Sequence, residues 1–432
     1  MVIDLSHTRT RAAFLALVLL FASTLSFFSG RAFLASYWNA SPTPELWQRA
    51  ARLEPGNAEY WRHAGLFGQW ELSAEGTAEA IRDLEVATRV NQHSPELWME
   101  LADAYQSLGD PINAQKAYQE AQIRYPASAE VAWRFGSFLL YQGKTPDGFK
   151  EIRRALLGNP SLAPDAISEC WRSDPNVDSL MDQVLPAEHI YFHDAMQFFL
   201  SHNLPAAALA VWNRQQPMGL PLTIADAVPL IDALIDTNHT IEASQIWKQA
   251  LDGARWPQSP EDDGALVFNG GFEHDIANGG YDWREATVSG AHFDFDNLTV
   301  HSGSRSLRVQ FDGKANLDFR HLFQYVPVEP YTRYQFSAYV RTAAISSDRG
   351  IYFEISDPHP SSELQILTSE LSGSNPWTRV QTEFVTAHDT RIIKLTLRRA
   401  ASWKFDNKFS GTVWIDDIHL ARVAPASEKV AR

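Results

Sequence analysis

Apolar and small residues recur along the first half of the chain with a helical period, and the pattern itself repeats about every 34 residues. Trp98, Leu101, Ala102, Tyr105, Ala114, Tyr118, Ala121 and Pro126 form one set. Phe135, Gly136, Leu139, Ile152, Ala155 and Pro160 fall at matching places one unit later. The clear units lie at about 95–128 and 129–162, and each divides into two amphipathic helices. Gly109 and Gly143 end the first helices, where a left-handed residue is wanted. Ala102, Ala121 and Ala155 mark close helix contacts. An earlier unit starts at Asn57, with Trp61, Ala64 and Gly65 in its first helix and Ala80, Leu84 and Ala87 in its second. Its turn, near Leu72–Gly76, carries an insertion. Trp47, Ala50 and Pro55 match a second helix that lacks its first. Residues 163–185 hold Pro164 and Pro175 and show no clear phase. Periodicity returns at 187–214, with Ala208 and Trp212, and at 221–252, with Leu230, Leu234, Ala243, Trp247 and Ala250. The pattern predicts five or six helical hairpins.

Beyond a polar stretch at 253–264 the period changes to two. His292–Asp296, Arg305–Phe311, Tyr334–Arg341, Ile351–Ile355 and Ile392–Arg398 alternate, and turn residues separate them. Short alternating runs of this kind predict an antiparallel sandwich. At the opposite end, residues 12–28 carry no charge. As a helix they span roughly 25 Å, close to the hydrocarbon thickness of a bilayer. Arg9 and Arg11 precede the run and Arg31 follows it. The positive-inside tendency then leaves a short cytoplasmic N-terminus and exports the bulk of the chain, periplasmic or at the cell surface. A cleaved signal peptide is the competing reading; Thr24/Ser26 and Gly30/Ala32 are the tolerable cleavage pairs, and both are poor.

The resulting fold class is multidomain, α then β. A cytoplasmic stub and membrane anchor occupy 1–36, a helical-repeat solenoid 37–255, a linker 256–264, an antiparallel β-sandwich 265–423, and a disordered tail 424–432. The net charge of −15 argues against nucleic acid as a partner, because phosphate contacts need a basic face. Cys170 is the single cysteine, so the fold has no intrachain disulfide to lean on.

The 34-residue units resemble tetratricopeptide repeats. That resemblance implies stacked helical hairpins with a groove for a protein partner. A second resemblance rests on four landmarks: Asn269-Gly-Gly-Phe-Glu273 with Trp283; the run His301–Val309; Tyr331–Arg341 preceded by Phe323-Gln-Tyr-Val; and Gly411–Leu420 after Trp377 and Phe384. Their order is similar to that of carbohydrate-binding modules of the galactose-binding-like jelly rolls. Glu329-Pro330-Tyr331 stands where a proline-glycine turn is usual. The resemblance implies a polysaccharide ligand and a structural calcium. Glu273 and Asp417 would hold the ion with backbone oxygens of the 301–305 turn, the alternative being two acids at strand ends. No other cofactor is implied.

Trp283, Phe272, Trp377 and Trp414 lie in the framework and are expected in the core. Sugar recognition calls for exposed aromatic faces beside planar polar groups. One candidate group shares strand parity: Tyr352 and Glu354, Lys394, Thr396 and Arg398, extended by Tyr339 and Arg341. The other is the loop aromatics Phe319, Trp403, Phe405 and Phe409. The bland alternatives are a solvated outer face and ordinary loop packing. Gly143-Lys144-Thr145 lacks the upstream glycine of a phosphate loop, since Phe138 stands there. His189 and His193 lack a third metal ligand, and His292, Asp294 and Asp296 read as an exposed strand. No G-x-S-x-G or H-E-x-x-H occurs, so no enzyme is expected. The sequence points to a membrane-anchored envelope binding and assembly protein, in exopolysaccharide or cell-wall assembly. The alternatives are a scaffold without a glycan site and a glycan-acting enzyme.

Overall fold

The computed structural model describes residues 8–41, 43–70, 74–219, 223–253, 265–359, 363–405 and 407–423. The expected linker at 256–264 and tail at 424–432 lie outside them. By internal contacts the chain falls into two compact units, Met1–Phe198 and Phe199–Arg432.

The first unit is helical. It contains α1 (Thr8–Asn39), α2 (Pro44–Leu53), α3 (Ala58–Trp70), α4 (Ala74–Val90), α5 (Pro95–Leu108), α6 (Pro111–Arg124), α7 (Ala129–Tyr141), α8 (Thr145–Gly158), α9 (Ala163–Ser173) and the short α10 (Val177–Ser179). Helix α11 (His189–Ser201) spans the division. Helix α1 is long and apolar enough to cross a membrane by length and composition.

Local chemistry sets the repeat boundaries. Ser94, Asp110 and Ser128 cap α5, α6 and α7 by accepting from the backbone N–H three residues on. Gly109 and Gly143 adopt φ of 81° and 72°, as the expected left-handed stops require. Ala102, Ala121 and Ala155 are fully buried. A Cβ on Gly136 would meet Ile152 Cδ1 at 2.8 Å, so the paired helices α7 and α8 approach too closely for a side chain there. Trp61 and Trp98 repeat one interaction: each indole N–H donates to the carbonyl six residues back, Pro55 O and Gln92 O, at 3.1 Å. One expectation fails here. Residues 163–185 lack a visible phase, yet 163–173 form α9, with Ala163, Ala166, Ile167 and Cys170 buried. Pro164 sits in the first turn, where its missing N–H costs nothing.

Among the described residues, the second unit joins α12 (Pro205–Gln215), α13 (Ile224–Asp236) and α14 (Thr240–Gly253) to ten strands. The strands are β1 (Arg284–Glu285), β2 (Ala291–Asp296), β3 (Ser306–Asp312), β4 (Phe319–Pro327), β5 (Arg333–Ile345), β6 (Tyr352–Ser356), β7 (Gln365–Leu367), β8 (Gly373–Val385), β9 (Ile392–Arg399) and β10 (Ser410–Arg422). They form two antiparallel five-stranded sheets, ordered β1-β4-β9-β6-β7 and β2-β3-β10-β5-β8. Alternation sends Val309, Phe311, Phe336, Phe353, Leu395, Leu397, Val413 and Ile415 into the shared core. Trp283 and Phe272 pack there as expected, with ring centroids 5.3 Å apart. Tyr331 takes φ of 52°, so the Glu329-Pro330-Tyr331 segment turns without a glycine.

Asp282 couples this core to pH. It is fully buried; Ala277 N donates to one carboxylate oxygen at 2.6 Å and Trp283 N to the other at 2.7 Å. Burial outweighs these bonds and pushes its pKa up to about 6. A carboxyl whose pKa is raised by folding stabilises the native state below its unfolded value of ~3.9, and that contribution is lost as pH rises through the folded value. Going from about pH 5 to about pH 7.5 should cost about 1.4 kcal/mol through this group. Thermal melts of Asp282→Asn should show a flatter pH dependence than wild type over that range. Parallel curves would remove Asp282 from the account.

Candidate functional site

The outer face of the first sheet gathers five of the predicted residues, Tyr352, Glu354, Lys394, Thr396 and Arg398. Register sets Tyr352 beside Arg398, Glu354 beside Thr396 and Ser356 beside Lys394 across β6 and β9. On the other side of β9, Phe323 neighbours Thr396 and Tyr325 neighbours Lys394. Phe323 and Tyr325 therefore belong to the same face, although they were not among the sequence candidates. The signal was present, because Phe323 and Tyr325 alternate with Gln324, which turns inward to bond Phe268 N and O at 3.2 and 2.7 Å.

Charges organise this face. Lys394 Nζ lies 3.9 Å from the Phe323 centroid, and the Arg284 guanidinium lies 4.8 Å from that of Tyr325. Burial, with Arg284 nearby, lowers the Lys394 pKa. Arg398 donates to Glu354 Oε2 at 2.8 Å and to Asp318 Oδ1 at 2.7 Å, while Gln365 Nε2 donates to Glu354 Oε1 at 3.1 Å. The result is a fixed array of planar polar groups flanked by aromatic rings, the arrangement that hydroxyl recognition uses.

Other candidates separate from this group. Tyr339 and Arg341 lie on β5, in the second sheet, so they cannot join it. Parity along one strand carries no information about which sheet that strand enters. Trp414 and Trp377 also depart from expectation. Both are half-buried residues on β10 and β8 rather than core. The Trp414 indole donates to Asp296 Oδ2 at 2.8 Å, and the Arg341 guanidinium stands 5.7 Å from its ring. Trp377 meets the His301 ring edge-on at 5.6 Å. Asp294 and Asp296 both pair with Arg308, a structural role in place of a cation site.

The remaining aromatics split, with Phe319 opening β4 and the other three in the loop following β9. Phe319 and Phe409 are buried, with Phe311 between them at 5.2 and 4.6 Å, and so leave the list of stacking candidates. Trp403 and Phe405 are fully exposed. The loop base is rigid. Buried Arg399 donates to Asn316 Oδ1, Leu317 O, Ser347 Oγ and Asn407 O at 2.7–3.3 Å, and Ser402 Oγ donates to Asp348 at 2.6 Å. A rigid base with two aromatic side chains at its tip suits presentation to a ligand.

Three carboxylates surround the 301–305 turn. Glu273 accepts from Ser304 N and the Ser304 hydroxyl and from Arg305 N. Burial opposes its ionisation, but these bonds hold its pKa below the ordinary value. Asp416 is fully buried and accepts from His301 N and Ser302 N at 2.9 and 3.2 Å. Burial, reinforced by the charge of Asp417, pushes the Asp416 pKa up to about 6. Asp417 takes the Ser302 hydroxyl at 2.5 Å and the His301 ring. The sequence singled out Asp417; the bulge between Asp416 and His419, with Asp417 at φ of 46°, makes Asp416 the buried carboxylate. Gly271 lies between the acids: a Cβ there would sit 3.8 Å from Asp416 Oδ1 and 3.9 Å from Glu273 Cγ. Among the described residues no three His, Cys, Asp or Glu side chains converge as a ligand set, so an ion here would draw on backbone oxygens as well.

In the repeats, an open cleft of about 350 Å³ is lined by Glu85, Arg89, Trp98, Tyr105, Lys116 and Glu120, among others. It joins α4, α5 and α6 and offers a mixed-charge surface with an aromatic floor.

Two facing antiparallel sheets form a jelly-roll-like sandwich, preceded in the chain by helices. Residues 264–399 match the family model of the carbohydrate binding domain. Tetratricopeptide repeat protein 33 of Mus musculus is 27% identical over 141 residues, or 33% of this chain and 51% of the relative. The chain thus spans about half the length of that relative. A solved family 4 carbohydrate-binding module shows 14% identity and a TM-score of 0.28, covering 36% of this chain and 99% of its own. A family 61 module solved with β-1,4-galactotriose shows 18% identity and a TM-score of 0.27, covering 37% and 99%. The chain pairs a tetratricopeptide-like repeat with a carbohydrate-binding-module-like jelly roll.

Proposed function

We propose that this protein is a membrane-anchored, non-enzymatic binding and assembly protein of a cell envelope, in exopolysaccharide or cell-wall assembly. Its repeats hold a protein partner and its sandwich holds a polysaccharide. The observation that carries the glycan reading is the carbohydrate-binding-domain match at 264–399. The exposed Trp403 and Phe405 and the Tyr352, Glu354, Lys394 and Arg398 face support it. A glycan array probed with the purified protein tests it. Binding to a neutral polysaccharide is expected. Silence across the array, with a pull-down that still recovers a protein partner, would leave the scaffold reading in its place.

The anchor reading rests on α1 and its flanking arginines. N-terminal sequencing of the mature protein should find α1 retained, with the N-terminus cytoplasmic and the rest outside the cytoplasm. A start near Phe27 or Phe33 would show cleavage instead.

Calcium is the ion that the turn chemistry suits. Glu273 and Asp416, with Asp417 adjacent, offer hard oxygen donors beside the 301–305 backbone, and a bound cation would relieve the repulsion between Asp416 and Asp417. Calcium at about 100 times its dissociation constant should stabilise the fold by about 2.7 kcal/mol. The readout is a rise in melting temperature that EDTA reverses and Asp416→Asn abolishes. An unchanged melt with calcium would remove the site.

A further inference from the structure

Helix α13 is pinned to the sandwich at two places. Asp232 Oδ1 accepts from Gly280 N at 2.8 Å and from the Arg284 guanidinium, which itself lies over the Tyr325 ring. Just past the helix, Asn238 Oδ1 meets His359 Nε2 at 2.8 Å. Glycines make this approach possible: a Cβ on Gly279 would stand 2.3 Å from Val228 Cγ1, and one on Gly280 2.8 Å from the Trp247 ring. Tyr281 donates to Thr240 O at 3.2 Å, and Trp247 packs edge-on to Phe268 at 5.1 Å.

Asp236 lies between the two pins. It follows Asp232 by four residues, so the helical period puts both carboxylates on the same side, toward the sheet. Unlike Asp232, it is exposed and makes no ion pair among the described residues. It also ends α13, where the helix dipole disfavours an anion. The Tyr325 hydroxyl has a raised pKa, through burial and the charges of Asp236 and Asp232 against the opposing Arg284. An unpaired acid at an unfavourable helix position, one turn beyond the Asp232 that holds Arg284 over Tyr325, is available to a ligand.

We propose that α13 forms a wall along the edge of the candidate glycan face, with the Asp236 carboxylate accepting sugar hydroxyls on the Tyr325 side. The proposal rests on the glycan reading of the first sheet's outer face. A carboxylate there accepts from paired hydroxyls and repels a sugar acid, so the wall selects neutral chains over uronate-bearing ones.

Isothermal titration of the full-length protein with xylan, β-1,4-galactan, a soluble cellulose derivative and polygalacturonate tests this. Wild type should bind a neutral chain and leave polygalacturonate unbound. Asp236→Ala should weaken neutral binding about tenfold, the scale of one charge-assisted hydrogen bond, with an unchanged melting curve. Asp236→Asn should recover part of the loss. Tyr352→Ala, distant from α13 on the same face, is the control. If Tyr352→Ala abolishes binding while Asp236→Ala leaves it intact, the wall fails and the glycan reading stands. If wild type prefers polygalacturonate, the wall fails likewise. If wild type binds none of the four, the glycan reading falls and the wall with it.

Discussion

Trp283→Ala should unfold the sandwich. Trp283 is fully buried, packs on Phe272, and donates its indole N–H to Asn269 O at 3.2 Å. Truncation removes a large apolar surface, leaves a cavity between the sheets and orphans a buried carbonyl. Core Phe and Trp truncations cost about 3–5 kcal/mol, a large share of the roughly 5–15 kcal/mol that holds a domain together. The loss should appear in circular dichroism melts as an early transition of the β-rich unit, with the first unit's helical transition unchanged. Trp414→Ala is the informative contrast. Its ring is half-buried on β10 and touches Arg341 and Asp296, so its truncation should cost much less. Equal losses for the two variants would mean that the outer face of the second sheet is as tightly packed as the core.

Replacing Trp403 and Phe405 together with alanine should abolish glycan binding and spare stability. Relative exposures of 100% and 104% show that neither ring packs on the protein, so truncation should move stability by no more than about 0.5 kcal/mol. The loop base would persist, because Arg399, Ser402 and Phe409 hold it from below. A sugar ring stacked on one aromatic removes on the order of 80 Å² of apolar surface from water, or about 2 kcal/mol. Two such contacts carry much of the roughly 4–8 kcal/mol expected of a millimolar to micromolar ligand. Affinity electrophoresis on the array-identified polysaccharide should show no retardation of the double variant. Full retention would place the ligand on the first sheet's face alone, and a lowered melting temperature would show the rings to be structural.

The success or failure of each sequence inference follows from the range of its physical cause. Capping and helical period act within a few residues, so Gly109, Gly143 and the buried alanines of the repeats were readable directly. Helix α9 was missed because its burial pattern is short and a proline opens it, which a periodicity reading takes for a break. Strand alternation correctly gathered Tyr352, Glu354, Lys394 and Arg398, because β6 and β9 are neighbours. It failed for Tyr339 and Arg341, because parity does not reveal which sheet a strand joins. Aromatic type misled in both directions: Phe319 and Phe409 fill the core while Trp377 and Trp414 stay on outer faces.

The sequence by itself determined the order of elements, the 34-residue helical unit, the sandwich and an apolar N-terminal segment, since each is written in local spacing of apolar residues. Only the tertiary structure decided which carboxylate of the Asp416-Asp417 pair is buried, because a bulge set by neighbouring strands breaks the alternation there. It alone brought Asp232 and Asn238 to the sandwich, through glycines at 279 and 280 whose role depends on what packs against them. Contacts between residues dozens of positions apart depend on the shape of both surfaces, and no spacing along the chain records that shape.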